Sequence, residues 1–169
     1  MQVVVLYGTE SGNSEECADR LAATLTAAGI PASSIDMASY PADQLAREAV
    51  ALIVTSTYGN GDPPTNAREL LSHVLSESTV LTGVRYGVCA LGDSTYPRFA
   101  QCGRDFDESM ELRGATRVIE RVECDGEFDF EAPFEEFQAR AVAYLEAEWP
   151  AISAGGKSVP SPAREGETC

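Results

Sequence analysis

Two short runs, Val3-Val4-Val5-Leu6-Tyr7 and Ala51-Leu52-Ile53-Val54, are apolar at every successive position rather than at alternate ones. A strand with one wet face alternates, whereas a strand that is apolar on both faces must be covered on both. The chain is thereby restricted to a parallel sheet held between helical layers. Its remaining pattern agrees, with strands expected at 2–7, 33–37, 50–56, 85–91 and 116–122 and helices at 13–28, 42–48, 65–76, 98–113 and 131–148. The helices carry apolar seams at helical spacing: Cys17, Leu21, Leu25 and Ala28 on the first; Phe99, Cys102, Phe106 and Met110 on the fourth; Phe134, Phe137, Ala141, Tyr144 and Leu145 on the last. Strands alternating with helices in this way predict an α/β fold, whose ligands sit beyond the carboxyl ends of the strands where the strand order reverses.

The 169 residues are read as one domain over 1–150, followed by a flexible tail or linker over 151–169 where Gly, Ser and Pro replace periodicity. Charge narrows the partners, since 12 Lys and Arg stand against 27 Asp and Glu, a net of −15. Nucleic acids and anionic membranes reward basic surfaces, so neither is expected, and the natural complement is the basic face of another protein. The five cysteines, Cys17, Cys89, Cys102, Cys124 and Cys169, include no C-x-x-C pair, which argues for neither a disulfide framework nor a zinc site. The single histidine, His73, is expected on the exposed flank of its helix and outside any catalytic role. No secretory pattern or membrane-spanning run is visible, so a cytoplasmic monomer is expected.

Three loops that follow strands hold the chemistry. Thr9-Glu10-Ser11-Gly12-Asn13-Ser14 links the first strand to the first helix and offers hydroxyls, a glycine and the unpaired N–H groups of a helix start, with no Lys or Arg. Such a loop holds a phosphate by dipoles alone. After the third strand, Ser56-Thr57-Tyr58-Gly59-Asn60-Gly61-Asp62-Pro63-Pro64 places an aromatic ring beside a pliable backbone, where the Gly59-Asn60 peptide is free to flip. After the fourth, Ala90-Leu91-Gly92-Asp93-Ser94-Thr95-Tyr96-Pro97-Arg98-Phe99 brings a second tyrosine to the same edge. Two rings at one edge suit a planar ligand. Glu123-Cys124-Asp125-Gly126, read as the loop after the fifth strand, adds carboxylates, so that with Glu10, Asp62 and Asp93 a negative collar is expected around the site.

These three motifs, in this order over roughly residues 2–148, resemble the flavodoxin family, and in particular the FMN-binding domains of sulfite-reductase-type and cytochrome-P450-reductase-type flavoproteins. The resemblance implies a doubly wound five-stranded parallel sheet of order 2-1-3-4-5 with helices on both faces, and FMN as cofactor. It assigns the phosphate to Thr9, Glu10, Ser11, Gly12, Asn13 and Ser14, one face of the flavin to Tyr58, the other to Tyr96, and the flavin N5 to the Gly59-Asn60 peptide. It further draws Ser56, Thr57, Gly61, Leu91, Gly92, Asp93, Phe99, Cys102 and Asp125 into the cofactor-binding set. Tyr58 stands where many flavodoxins carry Trp, and the fifth strand passes to the last helix without a long insertion, which places the resemblance with the short-chain type.

The expected function is single-electron transfer at low potential from an NAD(P)H-dependent reductase to an acceptor oxidoreductase such as a cytochrome P450 or a reductive synthase. A carbonyl of Gly59 turned toward N5-H favours the one-electron-reduced flavin, and nearby carboxylates disfavour the second electron. Two other contexts share this site: the FMN module of a diflavin reductase ending in its linker, and a stand-alone quinone or nitro reductase. A response-regulator receiver is disfavoured because Gly8-Thr9 and Thr55-Ser56 stand where its acidic residues belong, and a P-loop hydrolase because no Lys follows Gly12.

Overall fold

The computed structural model describes residues 1–155. Strands β1 (Val3–Gly8), β2 (Ala32–Asp36), β3 (Val50–Ser56), β4 (Arg85–Gly92) and β5 (Thr116–Asp125) form one sheet in the order β2-β1-β3-β4-β5. Every pairing is parallel. Helices α1 (Asn13–Ala27), α2 (Arg68–Leu75), α3 (Gln101–Leu112) and α4 (Glu131–Gly155) cover it.

Successive residues of the apolar strands enter different cores, as two-sided burial requires. Val3, Val5, Leu52 and Val54 pack with Leu21 and Leu25 of α1 and Phe134 and Phe137 of α4. Val4, Leu6, Ala51 and Ile53 pack on the other face with Leu70 of α2 and Phe106 and Met110 of α3. The chain leaves β1 toward β2 on one side and returns to β3 on the other, so the loops after β1 and β3 diverge from adjacent strands. A crevice opens at that reversal.

Most of the scarce arginines serve the fold. Arg117 and Arg121 of β5 both bond the Asp107 carboxylate of α3, and Arg104 of α3 grips Glu123 of β5 through Nε at 2.8 Å and Nη2 at 2.9 Å. Asp107 is only 3% exposed at its side chain, so both cations are needed to keep its charge satisfied.

Four expectations change at element ends. The fourth helix begins at Gln101 rather than 98, because Ala100 adopts φ 56, a left-handed turn that no helix can run through. The segments 42–48 and 65–76 are tighter than expected: Ala42–Arg47 is a 3-10 turn, and Thr65–Ala67 is another that leads into α2. Strand β5 extends to Asp125, so Glu123 and Cys124 belong to the strand rather than to a loop. Cys124 is fully buried, and Arg104 and Arg121 hold Glu123 against α3, which removes it from the expected collar. Finally, α4 continues through Pro150 to Gly155, so 151–155 are helix rather than tail. Ile152, 3% exposed in the core under α4, supplies the packing that outweighs the hydrogen bond Pro150 cannot donate. The rest of the expected tail, 156–169, lies outside the described residues, Cys169 among them.

Candidate functional site

The first loop is shaped by its own hydrogen bonds. Gly12, at φ 95, turns the chain into α1 and caps it without a side chain, so the first amides of the helix face no side-chain acceptor. Its N–H donates to Thr9 Oγ1 at 2.8 Å, which closes the loop on itself. The Thr9 N–H donates to Asn66 Oδ1 at 2.9 Å, and Asn66 Nδ2 donates in turn to Asp36 Oδ1 at 3.2 Å. Ser14, in the first turn of α1, is wholly buried, yet its hydroxyl has no hydrogen-bond partner among the described residues. A buried hydroxyl left unpaired costs about 1–3 kcal/mol, which an anionic oxygen at the helix start relieves. The Glu10 carboxylate is engaged by Thr65: its Oε1 accepts the Thr65 N–H at 2.5 Å and the Thr65 hydroxyl at 2.8 Å, and both bonds hold its carboxyl below its ordinary value.

The second loop is a closed turn on a fixed base. The Thr57 N–H donates to the Leu91 carbonyl, and its Oγ1 accepts the Cys102 N–H at 3.0 Å, anchoring the loop to β4 and to the first turn of α3. Tyr58 and Asp62 exchange N–H···O bonds of 2.8 and 2.9 Å. Between them Gly59 (φ 52) and Gly61 (φ 102) reverse the chain, and among the described residues neither the Gly59 carbonyl nor the Asn60 N–H has a backbone partner. The peptide expected to flip therefore stands free at the tip of a braced turn.

The third loop is tied to the turn that follows β5. Asp93 folds onto its own loop, its Oδ1 accepting the Thr95 N–H at 2.8 Å. Asp125 Oδ1 accepts the Ser94 N–H at 3.2 Å and the Glu127 N–H at 3.1 Å, while the Gly126 N–H reaches the Gly92 carbonyl at 2.8 Å. Hydrogen bonds from Ser94 foremost, and from the Glu127 N–H, lower the Asp125 carboxyl from its ordinary value. Its role in this structure is that of a strut between loops.

Two adjoining hollows result. One of about 420 Å³ is walled by Glu10, Ser11 and Asn13 of the first loop, Ser56 to Tyr58 of the second, Leu91 to Asp93 of the third, and Gly126, Glu127 and Phe130 beyond β5. Among the described residues no cation lines it. The other, about 330 Å³, lies among Thr57, Tyr58, Gly59, Asp93, Tyr96, Arg98, Phe99 and Ala100. Thr57, Tyr58 and Asp93 are common to both, and Tyr58 and Tyr96 remain 58% and 50% exposed, available to a ligand.

Most of the expected residues thus gather at one edge, while Asp125 serves as the strut between loops and Cys102 lies beneath the site. Cys102 is fully buried beneath the hollows, its Sγ 3.5 Å from Thr55 Oγ1, as its place on the apolar seam with Phe106 and Met110 requires. Burial pushes its thiol up to about 12, so it is an inert support for Thr57 rather than a lining residue. Sequence reasoning missed Asn66, Thr65, Arg98, Glu127 and Phe130. Arg98 lies inside the third loop, and the others carry no local signal. His73 is half-buried rather than exposed, and lies outside both hollows. No helix among the described residues is long and apolar enough to cross a membrane.

Comparison with known proteins agrees with this geometry. The chain is 38% identical over 142 residues to the sulfite reductase [NADPH] flavoprotein alpha-component of Vibrio parahaemolyticus, covering 83% of this chain and 22% of that protein. It is 37% identical over 163 residues to the component of the same name from Neisseria meningitidis serogroup B, covering 95% and 26%. It therefore spans about a quarter of the length of these relatives. Among solved structures, a flavodoxin of Streptococcus pneumoniae TIGR4 superposes with a TM-score of 0.76 at 26% identity, covering 88% of this chain and 99% of that one. A cysteine-to-alanine mutant of a Pseudomonas aeruginosa flavodoxin gives 0.75 at 32% identity, with 86% and 99% covered. The flavodoxin family model matches residues 5–138, and with the reversed strand order, the cation-free first loop and the two exposed tyrosines in place, the chain belongs to the flavodoxin family, an FMN-binding family of electron-transfer proteins.

Proposed function

We propose that this chain holds FMN across the two hollows and passes single electrons from a reductase to an acceptor oxidoreductase. The observation that carries the reading is Ser14: a buried hydroxyl without a partner among the described residues, in the first turn of a helix with no side-chain cap, next in the chain to Asn13 in the wall of a cavity that no cation among them lines. That combination fits a phosphate group and leaves a cost in its absence. Bound FMN supplies a ring system that takes up and releases one or two electrons.

The protein's part is to orient and to tune. Ser11, Asn13 and Ser14 hold the phosphoryl end, while Tyr58 and Tyr96 offer faces to the ring, each stacking pair worth about 0.5–1.5 kcal/mol beyond burial. The free Gly59-Asn60 peptide can present its carbonyl or its N–H, and so accept or donate at a ring nitrogen as its protonation changes. Asp93 and Glu127 in the walls, with Asp62 in the turn beside them, keep the rim acidic, which attracts the basic faces of a donor and an acceptor and disfavours extra electrons. We place the protein in the cytoplasm as a monomer, with an NAD(P)H-dependent reductase as donor.

A second reading is favoured by one finding. The relatives are flavoprotein components about four times as long, so the chain is equally suited to serve as the FMN module of a diflavin reductase, joined at its carboxyl end to the domain that supplies its electrons. Both readings predict that the purified chain carries one FMN and that riboflavin, which lacks the phosphate, binds far more weakly. Fluorescence titration of the apoprotein with each flavin tests this. Failure to take up FMN at high micromolar concentration removes both.

A further inference from the structure

We infer that Arg98 sets the charge balance of the electron-carrying hollow, its guanidinium offsetting the local carboxylates so that negative charge is more readily taken up there. The inference rests on the FMN reading. Arg98 is an exposed residue in the wall of the 330 Å³ hollow, beside Tyr58, Gly59, Tyr96 and Phe99. Its position is fixed through its stem. A Cβ on Gly61 would lie 2.6 Å from Arg98 Cδ and 2.8 Å from its Cβ, so the aliphatic chain lies flat on that glycine and needs it bare.

Its charge has no ion-pairing use in the fold. Arg20, Arg104, Arg117, Arg121 and Arg140 each bond a carboxylate closely, whereas Arg98, like Arg68, Arg85 and Arg113, pairs with none among the described residues, and of these four it alone lines either hollow. Yet Asp93 lines the same hollow, and Asp62 closes the turn on which Arg98 lies. An arginine placed only to cover Gly61 would need its stem alone. A guanidinium without a partner, braced in the wall of a cofactor hollow among carboxylates, is positioned to act on charge that arrives there. It does so from the hollow that the first loop does not line, which keeps the phosphate and the ring under separate electrostatic control. Arg98 also tethers the second loop to the third, but the charge is separable from the tether by substitution.

The experiment is potentiometry on the FMN-loaded full chain and on two variants. Arg98→Met keeps the stem and removes the charge; Arg98→Lys keeps the charge. A unit charge acting across roughly 10 Å at an effective dielectric near 20 changes an equilibrium by about tenfold. Arg98→Met is therefore expected to lower the equilibrium constant for the second electron by about tenfold, equivalent to about 60 mV for a one-electron couple, with Arg98→Lys near wild type. The gap should narrow at 1 M salt, since the guanidinium is exposed. Second-electron potentials that agree across all three proteins overturn the inference, as does a loss in the Lys variant equal to that in the Met variant. If wild type and both variants all fail to bind FMN, it is the underlying reading that has failed.

Discussion

Under the proposed function, Ser14 trades stability for binding. In the protein alone its buried hydroxyl has nothing to bond. Ser14→Ala is accordingly expected to leave the apoprotein as stable as wild type or more stable by up to about 1 kcal/mol, because removing an unsatisfied polar group relieves a desolvation cost. The same substitution should weaken FMN binding by roughly ten- to a hundredfold, the worth of a hydrogen bond to a charged oxygen, and leave riboflavin binding unchanged. Urea midpoints of the apoprotein and parallel titrations with the two flavins measure both effects. Equal loss for both flavins would mean that Ser14 supports the loop rather than the phosphate. Glu10 illustrates the opposite case, since its identity suggested a ligand contact or a negative charge in the collar. The structure keeps Glu10 in the wall of the larger hollow but ties its carboxylate to Thr65, a partner far away in the chain that the sequence around Glu10 does not announce.

At the scale of elements, what was legible followed from local chemistry and what was hidden followed from tertiary partners. The strands could be read because successive apolar residues admit only burial on both faces, and the site loops because parallel strands deliver their successors to one edge. The start of α3 could not, since it depends on Ala100 adopting a left-handed turn that Ala does not favour locally. The end of α4 was hidden by Pro150, which reads as a stop until the burial of Ile152 is known. Asp125 is another tertiary matter, a carboxylate that joins the loop after β4 to the turn after β5. Its pKa lies below the ordinary 3.8 in the folded chain, so its tethering contributes fully above that value and is lost as the pH falls through the lower, folded value. The stability gap between wild type and Asp125→Asn should thus be constant at neutral pH and close below about pH 4, a pattern that denaturant melts across the acid range resolve. A gap that widens on acidification would contradict the strut.

For the whole molecule, net charge and surface chemistry meet at the open edge of the sheet. The chain carries −15 overall, and three of its arginines, Arg104, Arg117 and Arg121, are spent on the α3–β5 contact. Glu10, Asp93 and Glu127 line the hollows and Asp62 closes the turn beside them, and at the same edge the rings of Tyr58, Tyr96 and Phe128 are exposed, the last by 81%. Charge acts at long range and rings act on contact, so under the proposed function the two features would divide the work: carboxylates would guide a basic partner, and aromatic surface would decide how closely it seats. The first part of that division depends on ionic strength, because the Debye length shortens from about 30 Å at 0.01 M to about 8 Å at 0.15 M. The second-order rate of reduction by a reductase with a basic docking face is expected to fall about tenfold or more over that range, with the first-order electron-transfer step in the docked complex unchanged. Stopped-flow reduction at a series of salt concentrations separates the two steps. A second-order rate indifferent to salt would show that the acidity serves solubility alone, and the partner would then have to be sought by shape at Tyr58, Tyr96 and Phe128.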